Sequence, residues 1–192
     1  MSVPSTTGRI VRLLALGLLV ASATPAQAQE RPAARANLSR ITLVVSDIDK
    51  ALEFYQRVGL TKSSDRVTSD TDQGGVYGAA DLPLTADAKR ARVVVMAGDT
   101  QALTLLWYDH PELPSARGNL MGIGTSDVIV GITVPDIQGA YTRLNQIGTR
   151  FHQPPARFTG AGPDGAPQSG QRFFAFDPDG HMVEVSQFET KK

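Results

Sequence analysis

Histidine and cysteine are the side chains that most often bind transition metals or act as nucleophiles, and this chain has three histidines and no cysteine. Without cysteine, the chain has no thiolate metal site, no cysteine nucleophile and no disulfide framework. His110, His152 and His181 show no ligand spacing such as His-x-x-x-His. By themselves, the histidines therefore predict no metal site.

A glycine-rich segment, residues 160–165, satisfies the dinucleotide-binding pattern Gly-x-Gly-x-x-Gly. A phosphate cradle of this kind needs a helix directly after the glycines, because the helix N-terminus binds the phosphate. Here residues 166–170 and then a predicted strand follow, so we expect no nucleotide binding. We predict a loop at this segment, with residues 73–78 as its counterpart. Each of them either closes over a ligand or forms an ordinary hairpin.

The overall charge excludes a further class of function. Nineteen basic residues balance 19 acidic residues, whereas a nucleic-acid-binding protein needs a surplus of lysine and arginine to displace counterions from phosphates. Hydrophobic residues make up 41% of the chain, which is ordinary for a globular domain. We therefore expect a folded domain with no nucleic-acid partner.

Residues 1–28 have the pattern of a secretory signal peptide. Arg9 and Arg12 precede the apolar run of residues 13–21, and residues 26–28 form a small-x-small cleavage signature. The apolar run is about half as long as a membrane span requires. We expect cleavage, export to the periplasm or the extracellular space, and no membrane span after processing; a retained anchor is the alternative. Residues 29–38 are predicted to be a disordered lead-in.

An internal repeat organises the rest of the chain. At an offset of 89 residues, residues 41–48 superpose on residues 130–137 without a gap, and the match continues as far as Gly59 and Gly148. In each copy, residues of alternating polarity precede apolar residues at helical spacing, the pattern of a strand followed by a helix. The aliphatic strand faces are expected to pack against these helices.

The ends of both predicted helices have matching signals. Asp47 and Asp136 occupy the positions of helix N-caps, where a carboxylate accepts from a free backbone N–H. Gly59 and Gly148 are typical of helix ends, because glycine readily adopts a left-handed conformation. Each helix is therefore bounded on both sides by the sequence.

Three further strands are predicted after each helix. They span residues 61–68, 90–96 and 102–108 in the first half, and residues 149–158, 171–176 and 181–188 in the second. Both halves thus have the order β-α-β-β-β, and the predicted fold class is α+β. Module one covers residues 39–108, a linker covers residues 109–126, and module two covers residues 127–189.

Two motifs resemble the vicinal oxygen chelate superfamily, also called the glyoxalase, bleomycin-resistance and dioxygenase superfamily. Residues 45–60 resemble its first strand-helix unit, and residues 177–185, with the sequence Asp-Pro-Asp-Gly-His-Met-Val-Glu-Val, resemble its closing hairpin. With the repeat, the resemblance covers residues 39–189. It implies two modules whose mixed sheets curl into a cup, with helices outside and a ligand site inside.

Strand alternation then predicts which side chains point into the cup. On the last strand of each module, these are Thr104, Leu106 and Tyr108 in the first, and Met182, Glu184, Ser186 and Phe188 in the second. Thr42 lies on the corresponding mixed face of the first strand.

The resemblance also assigns four positions at which family enzymes usually hold a divalent metal with His, Gln or Glu. In this chain the four positions are Arg40, Thr104, Ile129 and Glu184. Only Glu184 is a ligand type, Arg40 would bring a permanent cation, and Ile129 has no lone pair. We therefore predict no cofactor; a divalent metal held at shifted positions is the alternative.

Arg40 and Glu184 could have a role at these positions that needs no metal. They either pair with each other as an inherited salt bridge or bind the polar end of a ligand, with Arg40 as a planar fork for a carboxylate. Glu184, if buried without a partner, would serve as a general base and is the candidate catalytic residue. The predicted ligand-binding residues are Arg40, Thr42, Thr104, Tyr108, Ile129 and Glu184.

Three functional hypotheses follow from the resemblance. The first is an exported protein that binds a small organic molecule in its cup without the family metal, as the drug-sequestering members do. The second is an enzyme of the glyoxalase, isomerase or dioxygenase type that uses Glu184 as a base or as a metal ligand. The third is an interaction protein of the cell envelope whose cup is filled by its own side chains. A homodimer is compatible with all three.

Overall fold

The computed structural model describes residues 38, 40–73, 75–76, 88–98, 101–109, 123–125, 127–162 and 165–189. The predicted signal peptide, nearly all of the predicted lead-in and most of the predicted linker lie outside these residues. Among the described residues, no helix has the length and apolar character that crossing a membrane requires.

In the part of the chain that the structure describes, each module contains one helix and four strands in the predicted order. The elements of the first half are β1 (Arg40–Val44), α1 (Ile48–Val58), β2 (Thr61–Ser69), β3 (Arg90–Ala97) and β4 (Ala102–Tyr108). Those of the second half are β5 (Ile129–Thr133), α2 (Ile137–Gln146), β6 (Arg150–Ala161), β7 (Pro167–Phe176) and β8 (Met182–Phe188). The predicted α+β fold of two β-α-β-β-β modules is confirmed.

The two modules contain sheets of identical topology. The strand orders are β1-β4-β3-β2 and β5-β8-β7-β6. The first strand of each module runs parallel to the last, and the other pairs are antiparallel. Each sheet is therefore mixed, and β1 and β5 are edge strands.

Side-chain caps hold the beginning of each helix. The Asp47 carboxylate accepts from the Lys50 backbone N–H at 3.1 Å, and the Asp136 carboxylate accepts from that of Gly139 at 2.9 Å. At the other end of α1, Gly59 has a φ of +133° and donates its N–H to the Tyr55 carbonyl. The predicted helix boundaries are confirmed because the caps satisfy backbone groups that the helices leave unpaired.

The helices and the aliphatic faces of both sheets form one hydrophobic core. Val183 and Val185 of β8 lie in it, as do alternating residues of β1 and β5. The largest fully buried core side chains include Tyr55, Phe54 and Phe173. The opposite face of each sheet, the cup face, carries the residues between these core positions.

The β6–β7 hairpin is longer than predicted, so the loop expected at residues 160–165 is wrong in part. The two strands stay paired out to Ala161 and Pro167. Gly162 donates its N–H to the Ala166 carbonyl at 2.8 Å and closes a tight turn. Glycine has a low strand propensity, but the ladder of backbone hydrogen bonds overrides it here. A strand and not a helix follows the turn, which leaves no phosphate cradle.

Candidate functional site

Cross-strand register arranges the cup face of module two in rows. One row, read across β5, β8, β7 and β6, contains Gly131, Glu184, Phe174 and Gln153. The next contains Thr133, Ser186, Arg172 and Ala156. The rows bring the predicted residue Glu184 beside Phe174 and Arg172 of β7.

Arg172, which the sequence analysis missed, is the ionic partner of Glu184. Its Nη1 atom lies 3.4 Å from Oε1 of Glu184, and Ser186 donates its hydroxyl to the same oxygen at 3.3 Å. Both charged side chains remain partly exposed, Arg172 at 40% and Glu184 at 30%. Within the described residues, Oε2 of Glu184 accepts no hydrogen bond, so one carboxylate oxygen has no partner there.

Phenyl rings flank the guanidinium of Arg172. Its central carbon lies 5.0 Å from the ring centroid of Phe158 and 5.4 Å from that of Phe174, distances typical of cation–π contacts. A third ring, Phe188, lies 5.8 Å from Phe158 and is 43% exposed. Phe173 is fully buried, whereas its neighbour Phe174 is half-buried on the cup face. Module two therefore presents an aromatic surface around one ion pair.

The cup face of module one is filled in part by its own side chains. Leu106 and Tyr108 are buried with Val76, Ala88 and neighbouring residues in a second hydrophobic cluster. Tyr108, predicted to bind ligand, is 1% exposed, so its ring is packed in this cluster.

Thr42 and Thr104 are neighbours in the register of β1 and β4. Thr42 is exposed, but Thr104 is 1% exposed, and its hydroxyl oxygen has no hydrogen-bond partner among the described residues. Buried polar atoms are normally paired. Thr104 therefore occupies the pseudo-symmetric counterpart of the Glu184 position with an unsatisfied hydroxyl.

The predicted pairing of Arg40 with Glu184 is replaced by the Arg172–Glu184 pair. Arg40 is exposed and forms no ion pair within the part of the chain that the structure describes. Glu184 has an ionic partner and is 30% exposed, so it is not the buried, unpaired carboxylate that the general-base prediction required. Ile129, the other predicted edge residue, is 45% exposed.

The four family positions do not fit a divalent metal. Arg40 and Ile129 offer no lone pair, Thr104 offers a neutral hydroxyl, and Glu184 is held by a guanidinium. The described residues contain no group of three or more His, Asp or Glu side chains placed to hold a metal ion. His110 lies outside the described residues, and His181 contacts Asp177 at 2.9 Å.

A buried network ties the β7–β8 turn to module one. The Tyr55 hydroxyl of α1 donates to Oδ2 of Asp177 at 3.0 Å, and Nδ1 of His181 lies 2.9 Å from the same oxygen. Burial of the phenol, and next the negative charge of Asp177, raise the pKa of Tyr55 well above its usual value. Asp179 of the same turn accepts from the backbone N–H of Ser46 at 3.0 Å. The strand that carries Glu184 therefore begins at a turn anchored to α1.

The fold and the site define a chain of two β-α-β-β-β modules in which only Glu184, of the four positions that the resemblance assigned to a metal, has a ligand-type side chain. The family model of the Glyoxalase/Bleomycin resistance protein/Dioxygenase superfamily matches residues 37–185. The chain therefore belongs to this superfamily, as its motifs predicted. No curated protein matches the chain.

Solved structures share the fold at low sequence identity. A glyoxalase family protein from Bacillus cereus is 15% identical with a TM-score of 0.58, and the match covers 86% of this chain and 100% of that one. An integron cassette protein from V. cholerae is 18% identical with a TM-score of 0.48, covering 81% and 98%. A trypanothione-dependent glyoxalase I from Leishmania major is 14% identical with a TM-score of 0.48, covering 80% and 87%. These likenesses concern the fold alone.

Proposed function

We propose that this chain is an exported protein that binds a small organic molecule on the cup face of module two, without a divalent metal. The observation that carries the proposal is the ion pair of Arg172 and Glu184, which lies among half-exposed phenyl rings. Glu184 is one of the four positions that the family resemblance assigned to a metal. Binding sites of this kind combine apolar surface with a few placed polar groups.

The chemistry of the site suits a ligand with a flat apolar body and a polar end. Phe158 and Phe174 offer ring faces for stacking. Arg172 uses one N–H on Glu184, which leaves further donors of its planar fork for a ligand carboxylate or carbonyl. Oε2 of Glu184 accepts a donor from the ligand. A ligand that meets all three groups is held by stacking and by charge-assisted hydrogen bonds.

Export is the part of the proposal that depends on the sequence alone. Residues 1–28 carry the basic, apolar and small-residue regions of a signal peptide. A chain without cysteine folds in an oxidising compartment without the risk of wrong disulfides. Amino-terminal sequencing of protein recovered from the periplasm or the medium tests this; we expect it to begin at Gln29.

Native mass spectrometry of protein isolated from its source tests ligand binding. We expect a bound organic mass that survives chelation and is lost in Arg172→Gln and Phe174→Ala. The matched control is Arg157→Gln, because Arg157 is an arginine of the neighbouring strand whose side chain is 85% exposed. A stoichiometric metal whose removal abolishes binding would overturn the proposal. Equal ligand retention by Arg172→Gln and Arg157→Gln would also overturn it.

A second candidate function, an enzyme of the glyoxalase, isomerase or dioxygenase type, is favoured by one observation. Oε2 of Glu184 is free within the described residues and lies beside a cation that would stabilise developing negative charge. Glu184→Gln separates the two functions once the ligand is known. If Glu184 is a base, the unaltered chain converts the ligand, and the variant binds the ligand without converting it. If the protein only binds, neither the unaltered chain nor the variant converts the ligand.

A further inference from the structure

A cavity of about 350 Å³ lies at the seam between the two modules, and its lining includes Gly131, the cross-strand neighbour of Glu184, but neither Glu184 nor Arg172. Ile41 of β1 and Leu103 of β4 form part of its wall, and residues 130–133 of β5 form another part. None of the described residues that line it has a charged side chain. Its walls therefore suit a neutral, compact molecule.

Four consecutive residues of one strand line this cavity, which locates it at the edge of β5. Successive side chains of a strand point to opposite faces, so only the strand edge is shared by all four residues. Among the described residues, β5 pairs with β8 alone. The other edge of β5, the open edge, therefore presents unpaired backbone groups to the cavity.

The register identifies which backbone groups these are. In a strand, the N–H and C=O of one residue project to the same edge, and successive residues project to opposite edges. Val134 donates its N–H to the Ser186 carbonyl of β8 at 2.8 Å. Ile132 and Val130 therefore also face β8, and Gly131 and Thr133 direct their N–H and C=O groups to the open edge.

Gly131 adds an independent observation that points to a ligand. Its φ is not positive, so its backbone does not require glycine. A Cβ atom built at this position meets nothing within 4 Å. Glycine weakens a strand interior and often marks a place where a ligand approaches the backbone closely. The missing side chain leaves the N–H and C=O of Gly131 accessible from the cavity.

We propose that the seam cavity binds a neutral, extended amide of the N-acyl amino-acid amide type, which pairs with Gly131 as one residue of an added strand. In such a pair, the ligand N–H donates to the Gly131 carbonyl and the ligand C=O accepts from the Gly131 N–H. The apolar walls take the ligand side chain. The cavity volume is that of a small-molecule site, which favours this occupant over a strand of a second protein.

Amide chemical shifts of the ¹⁵N-labelled full chain test the proposal with N-acetylleucinamide as the probe. We expect saturable shifts of the Gly131 and Thr133 amides. Methylation of the leucine nitrogen removes the ligand donor and should weaken binding by about tenfold, the loss expected for one hydrogen bond together with the added methyl group. Equal binding of both probes, or no shift at Gly131 and Thr133, overturns the proposal.

Substitutions separate this site from the one proposed above. Gly131→Val fills the open space and should abolish binding of N-acetylleucinamide. Gly160→Val is the matched control, because Gly160 is also a strand glycine with nothing within 4 Å of a built Cβ and does not line the cavity. Arg172→Gln should bind the probe as the unaltered chain does, whatever becomes of the proposed cup ligand. Unchanged binding by Gly131→Val would contradict the proposal. Shifts of the same amides with protein concentration alone would assign the open edge to a second copy of the chain and would also contradict it.

Discussion

Replacing Tyr55 by phenylalanine should lower the free energy of unfolding by about 1.5–3 kcal/mol, the range for a hydrogen bond to a charged group. The hydrogen bond that is lost connects the two modules. The Tyr55 hydroxyl donates to Oδ2 of Asp177 at 3.0 Å, and both residues are buried. The phenyl ring stays, so its edge-to-face contact with Phe54 is kept. The loss should not exceed this range, because Asp177 retains the backbone N–H groups of Asp179 and His181 and its contact with the His181 ring.

Urea denaturation followed by circular dichroism measures the effect. With a denaturant slope of roughly 1–3 kcal/mol per molar, the midpoint should fall by about 1 M. Tyr141→Phe is the matched control, because the ring of Tyr141 packs against Phe151 and Phe173 and its hydroxyl makes no hydrogen bond among the described residues. Indistinguishable midpoints for the two variants would refute the assignment of Asp177 as the anchor between the modules.

The pH dependence provides a second readout of the same contact. Burial, and next the Asp177 carboxylate, raise the pKa of Tyr55 in the folded chain. Above pH ~10 the unfolded chain releases this proton while the folded chain keeps it. The contribution of Tyr55 is therefore complete below pH ~10 and is lost as the pH rises beyond it. Tyr55→Phe should show a flatter decline of stability at alkaline pH than the unaltered chain.

Four further substitutions test other parts of the structure. Arg92 binds both carboxylate oxygens of Asp65 at 2.8 Å and holds the pKa of Asp65 well below its usual value. Asp65→Asn should therefore be destabilised at neutral pH, and its difference from the unaltered chain in urea midpoints should shrink progressively as the pH falls below ~4, because the unfolded chain then binds a proton at Asp65 that the folded chain does not; a difference independent of pH would contradict this. Asp136→Ala removes the cap of α2 and should lower the free energy of unfolding by about 1 kcal/mol, measured by thermal unfolding. An unchanged melting temperature would show that the cap does not stabilise the fold. Phe173→Ala should cost about 3–5 kcal/mol because its ring is fully buried, and Phe174→Ala much less, because its ring is half-buried on the cup face; equal costs would contradict the assigned faces.

The sequence predicted the fold well because its signals are local. Asp47 and Asp136 cap their helices through backbone groups three residues away, so their role is visible within one turn of helix. Alternation along each strand likewise assigns faces without knowledge of the partner strand: Glu184 was predicted on the cup face, and its neighbours Val183 and Val185 lie in the core. The β6–β7 hairpin was predicted too short, because composition alone does not reveal a ladder of cross-strand hydrogen bonds.

The site was harder to predict because its contacts connect distant residues. Arg172 meets Glu184 through the register of β7 and β8, and a shift of one residue would send it to the opposite face. The contact of Tyr55 with Asp177 joins residues 122 positions apart. Periodicity indicates that both residues of such a pair are suitably placed, but not that they meet. One sequence signal was available for Arg172. In the predicted hairpin of β7 and β8, strand alternation places Arg172 on the same face of the sheet as Glu184.

The Arg172–Glu184 pair gives a physical argument for the proposal that this site binds its ligand without a divalent metal. A divalent cation approaching Glu184 would compete with a guanidinium that the neighbouring strand already holds within 3.4 Å, at no cost in translational freedom. The same cation would find no second charged donor at Thr104 or Ile129 to repay the loss of its water ligands. In the proposed function, the positive charge at the centre of the cup belongs to the chain itself. A ligand would then meet a planar hydrogen-bond donor flanked by aromatic rings, which selects for shape and for a polar end but does not polarise bonds as a Lewis acid does.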